Sequence, residues 1–270
     1  MRDIELLAPA KNLDYGMAAI EHGADAVYIG PQRFGARVAA GNTIDDIRKL
    51  CDYAHIFGAK VYATVNTIIY NNETEAVFDL IRQLKNAGTD AILVQDMSLL
   101  NIGIPEIAIH ASTQTDNRTA EKVKWLAEMG CSRVVLAREL SLKEIADIHE
   151  KVPDVELEAF VHGALCVSYS GLCYASQYCF NRSANRGECA QFCRLKFDLL
   201  DANDKILEKD KHLLSLKDMC RIDSLQKMIE AGVTSFKIEG RLKDLAYVKN
   251  VTAAYSERIN NIISQHPDKY

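Results

Sequence analysis

Residues Glu21–Gly30 read EHGADAVYIG, and the same pattern returns as NAGTDAILV at Asn86–Val94, EMGCSRVVLA at Glu128–Ala137 and EAGVTSFKI at Glu230–Ile238. Each time a helical stretch stops at a glycine, which turns left-handed at little cost, and a short β-rich apolar run follows. Such runs suit parallel strands buried on both faces. Outward from these four units, eight runs qualify as strands: Ile4–Leu7, Ala26–Ile29, Lys60–Val65, Ala91–Val94, Ile107–His110, Arg133–Leu136, Leu157–Val161 and Ser235–Ile238. Helical patterns fill most gaps, at Leu13–His22, Thr43–Phe57, Glu73–Ala87, Arg118–Met129, Leu142–Lys151 and Ser224–Ala231. The connection Gln95–Glu106 has room for a turn or so of helix. The alternation predicts an α/β fold, a (β/α)8 TIM-like barrel, as one domain over residues 1–270 with a C-terminal helical segment at 241–270. A doubly wound open sheet uses the same alternation, but no GxGxxG turn follows the first strand, whose end reads LLAPA.

Residues 166–213 form a Cys-rich insertion after strand seven, at the end of the barrel where chemistry resides. Of eight cysteines, Cys166, Cys173, Cys179, Cys189 and Cys193 crowd together, and Cys220 follows. Thiolates at short spacings gather soft metals or metal clusters where the compartment keeps them reduced. The N-terminus, MRDIELLAPA, carries charges at positions 2, 3 and 5 and lacks the apolar run of a signal peptide, so a cytoplasmic protein with no membrane span is expected. Disulfides are uncommon there, and 48% hydrophobic residues supply a core without them. A net charge of −5 excludes a generally basic nucleic-acid coat and leaves room for a local patch at Arg182, Arg186, Arg194 and Lys196, which reads equally as solvated surface.

Strand ends supply the other candidates. Alternation puts Glu158 and His162 on one face of strand seven, with His162 either an acid or base or a buried, hydrogen-bonded ring. His110, Ser112 and Gln114 leave strand five, and Arg138 and Glu139 leave strand six. Lys237, Glu239 and Arg241 end strand eight; with Arg138 they form either an anion clamp or a salt-bridge network closing the barrel. No HExxH or GxSxG motif supports proteolysis, although a Cys166–His162 pair keeps a hydrolase in view.

ELLAPAKN, HASTQTDN, RVVLARELSLKEI, EAFVHGALCVSYSGLC, NRGECAQFCR, LLSLKDMC and AGVTSFKIEGRLK, in that order, resemble the U32 peptidase (collagenase-like) family. The resemblance implies a barrel and, despite the family's name, hydroxylation of a pyrimidine of transfer or ribosomal RNA at its 5-position. Other members pair in oxygen-independent hydroxylation for ubiquinone synthesis, which makes a cluster-carrying subunit for a partner protein an alternative. It further implies a [4Fe-4S] cluster on Cys166, Cys173, Cys189 and Cys220, with Cys193 the rival for the fourth place, and prephenate as co-substrate. Zinc is the alternative metal, although C-x6-C followed by C-x3-C fits a zinc knuckle poorly. Catalytic roles fall to His162, Glu158, Arg138 and Glu239, and substrate binding to His110, Gln114, Lys237 and Arg241. Cys179 is a passenger, Cys51 and Cys131 are buried thiols, and longer members continue into further C-terminal domains.

Overall fold

Gly23 and Gly232 adopt φ of 91° and 96°, so two of the helix stops read from the sequence turn left-handed before the chain enters a strand. The computed structural model describes residues 4–36, 41–101 and 103–269. Residues 1–3, 37–40, 270 and Ile102, covered by the expected domain and connection limits, lie outside the described residues.

Eight parallel strands form the frame: β1 Glu5–Ala10, β2 Ala26–Pro31, β3 Lys60–Val65, β4 Ala91–Val94, β5 Ala108–Ala111, β6 Arg133–Val135, β7 Glu156–Gly163 and β8 Val233–Ile238. Each pairs with the next, and β8 returns to β1, with Leu6 in register with Phe236. The circuit is closed, a TIM-like barrel rather than an open sheet. Helices α1 Leu13–Glu21, α2 Ile44–Ile56, α3 Thr74–Asn86, α5 Ala120–Glu128 and α6 Leu142–Lys151 cross between consecutive strands, with only the short α4, Ser98–Asn101, between β4 and β5. Capping is local: Thr43 and Asp46 close a capping box at the start of α2, and Ser141 and Glu144 do the same for α6.

Each strand is buried on two faces. Leu7, Tyr28, Tyr62, Leu93, Val135 and Phe160 fill the barrel interior, while Leu157, Ala159 and Val161 pack outward under the helices. Beyond β7 the chain forms a crown. It includes α7 Ala175–Phe180, an antiparallel hairpin of Phe197–Leu200 with Ile206–Lys211, and a two-residue strand, Met219–Cys220, that pairs back on His162–Gly163. Helix α8, Leu225–Glu230, then leads into β8, and α9, Leu245–Gln265, lies against α1 and β1.

Candidate active site at the barrel mouth

A cavity of about 420 Å³ lies between the C-terminal ends of the strands and the crown. From below it is lined by Gln114, Arg138, Lys237, Glu239 and Arg241, all singled out by their place at strand ends, together with Tyr28 and Thr64. From above it is lined by Cys166, Cys173, Cys189 and Cys193.

Strand alternation sets the floor in layers. Lowest lie Glu5, Tyr62, His110, Arg133 and Ser235, near the strand starts, with the Arg133 guanidinium and the hydroxyls of Tyr62 and Ser235 gathered on the Glu5 carboxylate. Burial alone would raise Glu5, but Arg133 together with the hydrogen bonds of Tyr62 and Ser235 holds the carboxyl below its ordinary range. Next, Glu158 is 0% exposed and accepts from Lys237 at 2.7 Å and from Arg133 at 3.4 Å. At the cavity, Arg241 donates to Thr64 Oγ1 at 2.9 Å, and Arg138 lies 3.4 Å from Glu239 with its guanidinium 3.9 Å over the Phe160 ring. Buried Arg138 Nε has no hydrogen-bond partner among the described residues. With Lys237 paired to Glu158, Arg138 and Arg241 stand against the carboxylate of Glu239 among the lining residues named here, which makes the floor a receiver of anions.

Four expected members of the site do not line the cavity: Glu158, enclosed under Lys237, and His110, His162 and Cys220. His110 is enclosed beneath the floor, its ring edge-on to Tyr62; burial, then the charges of Arg133, Lys237 and Lys60, press its pKa well below the ordinary value. His162 does not share a face with Glu158. The β7–β8 register slips between Phe160, opposite Lys237, and His162, opposite Ile238, and this bulge reverses the alternation. His162 therefore faces α9, with Nδ1 3.3 Å from the Tyr255 hydroxyl. Cys220 goes with it, its Sγ 3.8 Å from that same hydroxyl. The thiol accompanying Cys166, Cys173 and Cys189 is Cys193, whose pKa is raised by burial and, secondarily, by those three neighbours against the lowering effect of Arg194.

The crown is pinned over the cavity. Gly171 turns at φ 76° so close to the turn that follows β5 that an added Cβ would collide with the Gln114 carbonyl oxygen, so only glycine fits there. Arg186 grips Glu73 through two N–H···O bonds of 2.8 and 2.9 Å and stacks 4.1 Å over Tyr70. Arg194 donates to the Leu165 carbonyl and to Ser215, tying together the chain on both sides of the cysteines. Lys196 pairs with Asp210 on the hairpin. Most of the basic run thus builds the crown.

The model of peptidase family U32 matches residues 11–269. The chain belongs to peptidase family U32. It is 50% identical over 265 residues to a 23S rRNA 5-hydroxycytidine synthase of Escherichia coli, covering 98% of this chain and 40% of that one. It is 41% identical over 266 residues to tRNA hydroxylation protein P1 of Bacillus subtilis, covering 95% of this chain and 63% of that one. The chain thus spans between 40% and 63% of the length of these relatives. A solved U32 peptidase shares the fold with a TM-score of 0.54 at 14% identity, over 87% of this chain and 92% of that one.

In this U32 barrel, Cys193, Tyr28 and Thr64 are the site residues with the faintest sequence signals. Tyr28 and Thr64 lie at inward positions of β2 and β3, legible once strand register is known, and Cys193 was marked by its C-x3-C spacing from Cys189. Among the described residues, no three His, Cys, Asp or Glu side chains converge on a point where they could hold a single metal ion. No helix among them is long and apolar enough to cross a membrane.

Proposed function

We propose that this barrel carries out 5-hydroxylation of a pyrimidine in ribosomal or transfer RNA in the cytoplasm, using a [4Fe-4S] cluster held at its mouth. The observation that carries the reading is the 50% identity, across 98% of the chain, to a 23S rRNA 5-hydroxycytidine synthase. The donor set supports the cofactor: Cys166, Cys173, Cys189 and Cys193 line one cavity, soft ligands in the number a [4Fe-4S] cluster takes, and among the described residues no three of them converge as a tetrahedral zinc ion requires. When bound, the cluster supplies redox chemistry. The chain's own residues bind and orient. Arg138 and Arg241 hold the carboxylates of a small acid such as prephenate, and Glu239 fixes the Arg138 guanidinium.

The hydrolase reading rested on a Cys166–His162 pair, but His162 meets Tyr255 and, unlike Cys166, does not line the cavity, which favours the hydroxylation reading. A cluster-carrying subunit serving a partner protein would share the mouth but leave RNA unchanged on its own. Nucleoside mass spectrometry of RNA from cells with and without the protein separates these. Loss of a 5-hydroxypyrimidine on deletion, restored by the gene, is the expected result; identical nucleosides in both strains would overturn the reading.

A further inference from the structure

Lys237 is the one amine among the cavity-lining cations named above, and its setting differs from that of the arginines. It is 3% exposed, lies 4.4 Å over the Tyr28 ring and 5.5 Å from that of Phe160, and has the Glu158 carboxylate at 2.7 Å. Arg133, on the same carboxylate, is a guanidinium that stays charged in proteins; a buried lysine can release its proton and become a nucleophile. Burial lowers the ammonium's pKa and Arg241 adds to that, against the opposing pull of Glu158. Arg138 and Arg241 flank the same cavity, where a carboxylate adjoining a carbonyl would be held.

We propose that Lys237 forms an imine with a 2-oxo acid bound in the barrel-mouth cavity, its carboxylate held by Arg138 and Arg241. The inference rests on the reading of this mouth as a substrate site and adds the class of acid it takes. Lys237 passes a proton to Glu158, and the free amine adds to the 2-carbonyl carbon to give a carbinolamine. Glu158 returns the proton to the departing hydroxyl, water leaves, and a protonated C=N bond remains. Ammonium plus ketone becomes iminium plus water, with no oxidant or reductant required. Tyr28 and Phe160 shield the iminium from hydrolysis, and Glu158 balances its charge.

The test is reductive trapping on the intact protein. Incubation with pyruvate and sodium cyanoborohydride should add the mass of the acid less one oxygen atom, and peptide mapping should place the adduct on Lys237. Lactate, which lacks the carbonyl, should add nothing, and Lys237→Arg should abolish the adduct while keeping the charge. Should that variant fail to fold, mapping on the wild-type chain still decides. No adduct, or one confined to surface lysines, would overturn the proposal. An adduct on Lys237 in a protein that leaves RNA unmodified would retain this site and remove the hydroxylation reading; hydroxylated RNA without an adduct would do the reverse.

Discussion

Cys193 and Cys220 differ in surroundings more than in chemistry. Cys193 stands with three thiols over the cavity, while Cys220 rests against Tyr255 on the far side of the bulge in β7. Cys193→Ser should therefore lose most iron from anaerobically purified protein and Cys220→Ser should keep it; iron and acid-labile sulfide assays check this, and the opposite ranking would return the fourth place to Cys220. His110 supports a second prediction. Unfolded, it titrates near 6.5, and the folded ring, buried among cations, only well below that. As pH falls below the unfolded value, the unfolded chain takes up a proton that the folded chain refuses, so stability present above 6.5 is lost, by about 1.4 kcal/mol one unit lower. His110→Phe, which keeps a ring against Tyr62, should flatten that slope in urea titrations at about pH 7.5 and about pH 5.5. An unchanged slope would assign the acid loss to other groups. The face on which His162 lies escaped the sequence, because a one-residue bulge is invisible to a two-residue period.

The crown is held by a few side chains, where the barrel is held by a core. Arg186 on Glu73 anchors one edge, partly shielded and bidentate, and Arg194 ties Leu165 to Ser215 at the other. The hairpin beyond them leaves Leu199, Leu200, Ile206 and Leu207 exposed, and so draws little stability from burial. Arg186→Ala should speed proteolytic cleavage within residues 164–216 several-fold and change barrel stability by only about 1 kcal/mol. Gel bands mapped by mass spectrometry will show whether the new cuts cluster there; cuts spread through the α-helices would mean that crown and barrel open together. The helix-stop glycines made the barrel legible, because each marks a local conformational need that sequence alone reveals. The Arg182–Lys196 run was not legible in the same way, since whether an arginine faces solvent or grips Glu73 depends on a partner more than a hundred residues distant.

At the scale of the molecule, the apolar core and the cysteines proposed to hold the cluster occupy different parts of the chain. The clusters inside and around the strands draw on all eight barrel strands, and from beyond β7 the crown lends them little more than Met219 and Leu165. The four cavity cysteines contribute to none of these clusters, whereas Cys51 and Cys131 are fully enclosed thiols, with burial raising their pKa to about 12 and about 11. Order in the strand pattern therefore disclosed the fold, while the site depended on where a long segment with few apolar anchors came to rest. A ligand bound only by the crown stabilises what unfolds with the crown, and it leaves the global transition alone when the crown opens separately. Removing the iron of the proposed cluster with a chelator should then leave far-UV circular dichroism and the urea midpoint nearly unchanged, within about 1 kcal/mol, while amide exchange rises through residues 164–216. If the urea midpoint instead fell together with that local protection, the cysteine site would be a keystone of the whole fold, and the division between stable barrel and separately opening crown would fail.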